Sequence, residues 1–143
     1  MEHYNAAAWL VDRHVAAGSG HRVAFRVDGV ETTYAALQEQ VWRAQRALAD
    51  LDVRRGERVA MVVDDELAFP SWFLGALRFG AVPVPLSTML TAGDLAAIIA
   101  DSEAGVVVVS EGYAPHLATI ASASSADARP QGSGRRSLRS TSR

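Results

Sequence analysis

The chain contains no cysteine and no lysine. Without cysteine it has no disulfide, no zinc–thiolate site and no thiol nucleophile, a composition that fits a reducing compartment. All fourteen positive residues are arginine. That removes a Schiff base, a phosphate-loop lysine and a lysine to stabilise charge on an acyl phosphate. The histidines are few and scattered. His3, His14, His21 and His116 show no metal-ligand spacing and read as solvated or capping side chains. Long apolar runs are missing too. The richest stretch, 69–86, is interrupted by Arg78, Pro83 and Pro85, so no membrane span is expected. Glu2 and the run Asp12-Arg13-His14 break up any signal-peptide core, and a cytoplasmic location is expected.

What is present suffices for a core. Of 143 residues, 49% are hydrophobic, which suggests one domain or part of one. Asn5 reads as the N-cap of a first helix, with Tyr4 and Trp9 placed to pair as a staple. Its apolar face is Tyr4, Ala7, Ala8, Val11 and Val15, and Gly18 closes it. Two short alternating runs then flank Asp28-Gly29, the signature of a tight hairpin. Thr33 caps a long amphipathic helix that turns Leu37, Val41, Ala44, Leu48 and Leu51 to one side.

From Arg58 the pattern becomes strand, helix, strand. Arg58 to Val63 is a continuous apolar strand. Asp64-Asp65-Glu66 is expected at a helix N-terminus, where the helix dipole favours negative charge. That helix buries a stripe of Phe69, Trp72, Phe73, Ala76, Leu77 and Gly80. A strand follows over 81–86. A helix capped by Thr91 carries Leu95, Ile98 and Ile99 inward and ends at Gly105. Four valines, 106–109, form the next strand, and another helix begins near Ala114. This alternation predicts an α/β fold, with an N-terminal hairpin and helices followed by βαβ units on a mainly parallel sheet.

Pro83 and Pro85 do not suit a central strand. Neither can donate to a ladder, and two positions apart they leave the same side without donors. That side must be a sheet edge, a bulge, or a junction with another layer.

The character changes at Leu117. Segment 118–143 has only Ile120 and Leu138 as large apolar residues, and its five arginines face one aspartate, while the remainder is acidic. It reads as a disordered Ser/Arg-rich tail, giving an expected division at 1–117 and 118–143. Without aromatic residues to stack on bases, the tail is not expected to bind nucleic acid. Its abrupt start suggests translation out of frame after a truncation.

Three ordered stretches carry a resemblance: Thr33-Tyr34-Ala-Ala-Leu37, Gly56-Glu57-Arg58-Val59-Ala60, and Phe73-Leu-Gly-Ala-Leu-Arg-Phe-Gly80-Ala-Val-Pro-Val-Pro-Leu86. With the opening YNAAAWLVDRH, they resemble the start of the adenylate-forming acyl-CoA synthetases, and most of all the benzoate and aryl-CoA ligase branch. Coverage runs from Tyr4 to Leu117. The sequence departs where Ala36 replaces a frequent acidic residue and where Asp64-Asp65 replace a frequent asparagine.

The resemblance implies an N-terminal subdomain of a much longer AMP-forming ligase that uses ATP, Mg and CoA. It also implies that the glycine-rich phosphate loop, the acidic ribose-binding residue and the adenylating lysine lie in polypeptide not present here. No catalytic, cofactor-binding or metal residue is therefore assigned, and no cofactor is expected to bind this chain alone. The expected partner, if any, is the remainder of a split ligase.

The residues themselves offer weak local candidates. Gly18-Ser19-Gly20 and Gly132-Ser133-Gly134 do not follow a strand and open a helix, as a phosphate loop requires. A small nucleotide-binding enzyme would use the strand ends near Asp64, Ser87 and Ser110. Asp64-Asp65-Glu66 as a Mg²⁺ site is weighed against a solvated helix start, which is the stronger reading.

Overall fold

A computed structural model describes residues 4–64, 66–126 and 139–142. The chain forms two compact units, Met1–Arg55 with Asp65–Ala81, and Gly56–Asp64 with Val82–Arg143.

The first unit opens with a helical segment in which a π-helical turn, Ala8–Asp12, runs into α1, Arg13–Ala16. Asn5 caps its start as expected. Its Oδ1 accepts the Ala7 and Ala8 amides at 3.0 and 3.3 Å. The expected face is only partly correct, because Tyr4 lies ahead of the Asn5 cap, outside the helix. Ala7 and Val11 are buried, but Tyr4 is exposed. Tyr4 and Trp9 do approach, with ring centres 6.5 Å apart, on the outside of the protein.

Strands β1, Val23–Val27, and β2, Val30–Thr33, pair antiparallel around Asp28 and Gly29. Both turn residues have positive φ, 48° and 80°, as a type I′ turn demands. Helix α2, Tyr34–Asp50, begins with the Thr33 hydroxyl accepting the Ala36 amide. Leu37, Val41, Ala44 and Leu48 are its buried face.

Helix α3, Ala68–Phe79, also packs in this unit. Its buried residues are Ser71, Trp72, Leu74, Gly75 and Ala76, so the stripe expected from periodicity misses three of them. The cause is a close approach. A Cβ at Gly75 would lie 2.6 Å from the Ala44 Cβ and 3.1 Å from the Val41 carbonyl oxygen. Periodicity ranks glycine as neutral, whereas here it is the contact surface. Gly80, at φ 92°, ends α3 with the paired backbone bonds of a glycine cap. Its N–H reaches the Leu77 carbonyl, and the Ala81 N–H reaches that of Ala76.

The second unit holds a parallel sheet in the order β4-β3-β5-β6. The strands are β3 Arg58–Val62, β4 Val82–Pro85, β5 Val106–Val109 and β6 Arg139–Ser142. Every residue from Val59 to Val62 and from Val106 to Val109 is buried, as strands covered on both faces require. Helix α4, Ala92–Asp101, starts at Thr91, whose hydroxyl accepts the Asp94 amide. Leu95 and Ile99 point inward as expected, but Ile98 is exposed. This helix ends before Gly105. Glu103 takes the positive φ of the turn, and Gly105 instead leaves room for the Glu57 side chain.

The proline question is answered by this register. The Val82 N–H donates to the Glu57 carbonyl, and the Leu86 N–H to that of Met61. Even-numbered residues of β4 therefore face β3. Pro83 and Pro85 turn their nitrogens the other way, where no strand pairs among the described residues.

A 3₁₀ turn, Glu111–His116, leads into α5, Leu117–Ala126. This helix crosses the boundary expected at Leu117. Ile120 is fully buried and joins a core cluster with Val62, Leu95, Ile99, Val107 and Val109. Leu117, at the start of the helix, packs against the same cluster, so two large apolar residues anchor a helix whose composition otherwise reads as solvated. β6 also lies within the segment expected to be disordered, and residues 127–138 fall outside the described ones.

Candidate functional site

In an open parallel sheet, ligands collect at the carboxyl ends of strands where successive connections depart to opposite sides. Here that place lies between β3 and β5. The strand after β3 in sequence, β4, is on one side, and the strand after β5, β6, is on the other. The residues at those ends are Asp64 and Ser110, and the fold brings them together. The Asp64 backbone N–H donates to Ser110 Oγ at 3.0 Å. The Ser110 N–H donates to the Val62 carbonyl at 3.0 Å. Ser110 is itself buried. Both amides that a phosphate would need are thus spent on the protein's own oxygens. Ser87 is kept apart from Ser110, since β3 separates β4 from β5. Its Oγ accepts the Met89 amide within its own loop.

Asp64 and Glu66 lie just before a helix and not in its first turn, which corrects the expectation. Helix α3 starts at Ala68, after Leu67, with no acidic residue in its first turn. Pro70 accounts for the shift, because proline is accommodated in a first turn, where its missing N–H has no helical partner to lose. Asp65 lies outside the described residues. Among the described residues no three His, Asp or Glu side chains are grouped to hold a metal ion.

The remaining candidates are accounted for locally. The His14 ring stacks on Tyr34 with centres 4.2 Å apart. His21 is exposed. His116 sits beside Tyr113 at 6.1 Å, with its Nδ1 buried and unpaired. His3 lies outside the described residues. Gly18, at φ 77°, closes α1. Its N–H and that of Ser19 bond to the Val15 and His14 carbonyls, so this glycine pair presents a helix end, not a phosphate cradle. Gly132-Ser133-Gly134 falls outside the described residues.

One cluster escaped sequence reasoning. The Asp12 carboxylate accepts from Gln38 Nε2 at 2.8 Å through one oxygen and from Arg78 Nη1 through the other. The Arg78 guanidinium also lies 5.8 Å from the centre of the Trp42 ring. Trp42 and Arg78, with Gln45, Arg46, Asp50 and Phe79, line a shallow recess of about 550 Å³. Arg78 is paired with Asp12. The set has no nucleophile with an adjacent base, and its chemistry is structural. Asp12 and Arg78 are 66 residues apart, so no local spacing could have linked them.

Comparison with known proteins gives a consistent picture. The model of the family described as "AMP-binding enzyme" matches residues 12–140. The 4-hydroxybenzoate–CoA/benzoate–CoA ligase of Rhodopseudomonas palustris is 40% identical over 115 residues, 80% of this chain and 21% of that enzyme. The benzoate–CoA ligase of Thauera aromatica is 38% identical over 120 residues, 83% of this chain and 23% of that enzyme. Among solved structures, a benzoate CoA ligase from Burkholderia xenovorans superposes with a TM-score of 0.76 at 33% identity, over 82% of this chain and 24% of that one. The chain spans about a fifth of the length of the curated relatives it matches.

Proposed function

Since this chain belongs to the AMP-binding enzyme family, we propose that it is the scaffold-forming N-terminal part of an ATP-dependent acyl- or aryl-CoA ligase and is inactive alone. The intact reaction joins a carboxylate to ATP, releasing pyrophosphate and leaving an acyl-adenylate. The CoA thiol then displaces AMP and forms the thioester. The observation carrying the inactivity is the absence of lysine from a chain that matches the family over 12–140. Such chemistry works by neutralising charge at the transferring phosphate.

The residues present do not fit ATP or Mg. The strand-end amides of Asp64 and Ser110 are already bonded, and no metal-sized acidic cluster exists among the described residues. ATP, Mg and CoA belong to the intact ligase in this reading. An aromatic carboxylate is the substrate class that the benzoate-acting relatives favour. No helix among the described residues is long and apolar enough to cross a membrane. A cytoplasmic location goes with this reading, as does the absence of cysteine.

The test is carboxylate-dependent exchange of pyrophosphate into ATP by the purified chain, with benzoate and acetate as acids. No exchange above the enzyme-free control is expected. Turnover with either acid would overturn the assignment.

A second reading is a non-catalytic module that docks with a separate polypeptide carrying the rest of a ligase. It is favoured by Val82 and Met89, large apolar residues left 46% and 93% exposed in the second unit. Co-purification with that polypeptide and exchange activity only in the mixture are expected. Failure of the two to co-purify would remove this reading.

A further inference from the structure

We propose that Pro83 and Pro85 make the outer edge of β4 an acceptor-only edge that refuses an added β-strand, including the β4 of a second copy. On a strand, the N–H and C=O of one residue point to the same side in a parallel pair, and successive residues alternate. The Val82 and Leu86 amides reach the Glu57 and Met61 carbonyls of the β3 side, and Val84 lies between them in register with Ala60. The inner side is thus complete. The outer side carries residues 83 and 85, which are opposite Val59 and Met61. Both are proline, so this side offers two carbonyl oxygens and no N–H.

A strand laid along it could donate but could not accept. Each of its carbonyls facing β4 would lose water without gaining a partner, a penalty comparable to a lost hydrogen bond. Exposed sheet edges are templates for edge-to-edge association, and proline is one device that blunts them. The need is specific here. β4 is short and apolar throughout, Val-Pro-Val-Pro, with no charged residue in the strand to discourage pairing. The strand at the other edge, β6, is Arg-Ser-Thr-Ser, polar and charged, so β4 is the apolar one of the two edge strands among the described residues.

The inference concerns only the sheet of the second unit and does not depend on ligase activity. The experiment compares the full chain with Pro83→Val/Pro85→Val by sedimentation velocity across a concentration series, with amide hydrogen exchange on both. In the double variant the new amides at 83 and 85 are expected to exchange freely when dilute and to gain protection as concentration rises. Its self-association should be at least about tenfold tighter than the parent's, since two donors per copy are restored. Pro85→Val alone, restoring one donor, should give a smaller gain in the same direction, and it serves if the double variant loses its circular dichroism. Equal association of the parent and the folded variants would overturn the proposal. So would rapid exchange at Val84 in the parent, because that would mean the inner side is not paired as described.

Discussion

The two units differ in how their buried elements come into contact. In the first, the helices meet through atoms that are missing. Ala7, Ala44, Gly75 and Ala76 lie at buried positions, and α2 and α3 approach closely enough that Gly75 has no room for a methyl group. In the second, the core is built from bulk. Val62, Val107 and Val109 pack with Leu95, Ile99 and Ile120 on one face of the sheet. The α2–α3 contact should therefore be damaged most by adding volume, and the sheet core of the second unit by removing it. The sequence signal differs. Bulk is visible to a hydrophobicity pattern, and a designed gap is not.

The largest effect is expected in the second unit. Leu95 is fully buried at the centre of its cluster. Leu95→Ala removes apolar contact and leaves a cavity, a loss of about 3 kcal/mol in denaturant unfolding. Leu95→Met, which keeps the volume, should cost less than about 1.5 kcal/mol. Equal costs for the two would mean that volume is not what this core measures.

Next in size is an insertion into the first unit. Gly75→Ala places a Cβ at 2.6 Å from that of Ala44, well inside contact distance. Overpacking of this kind costs about 2 kcal/mol. The comparison is sharpened by a cycle with Ala44→Gly. Removing the opposing methyl should recover part of the loss, giving a coupling of about 1 kcal/mol between the sites. Strict additivity would show that α2 and α3 do not meet at this point in solution.

Much of the fold was legible because its signals are local. Asn5, Thr33 and Thr91 cap helices, Asp28-Gly29 makes the hairpin, and Arg58 to Val109 alternates as a parallel sheet should. Several misreadings involve information from elsewhere in the chain. The face of α3 is set by α2, so its own periodicity misplaced Leu74 and Gly75. A local signal was passed over at the helix start, which lies at Ala68, beyond Glu66, because Pro70 fits a first turn. Helix α5 forms across a polar composition break because Ile120 reaches a core formed by distant strands. The candidate site divides in the same way. The strand-end positions of Asp64 and Ser110 followed from topology, but the hydrogen bond that closes them to each other did not.

The smallest effect tests a residue that the sequence revealed only in half. Asn5 was readable as an N-cap through its oxygen. Its amide nitrogen does something that spacing could not disclose, donating to the Leu77 and Arg78 carbonyls at 3.2 and 3.3 Å. One side chain thus accepts from amides at the start of the first helix, which lack helical partners, and donates to two carbonyls at the end of α3, one of which, that of Leu77, also accepts from Gly80. Asn5→Ala removes both roles and should cost about 1–2 kcal/mol. Asn5→Asp separates them. Aspartate retains the cap, loses the two donors, and sets a negative charge against the carbonyl end of α3, where the helix dipole is unfavourable. If the capping role dominates, Asn5→Asp should be nearly as stable as the parent. If the bridge to α3 dominates, it should be as damaging as Asn5→Ala, and the bridge is the outcome expected. Hydrogen exchange at the Ala7 and Ala8 amides distinguishes the cases, since these should stay protected in Asn5→Asp and open in Asn5→Ala. In this unit a polar side chain, like the gap at Gly75, joins helices that the hydrophobic pattern alone would leave apart.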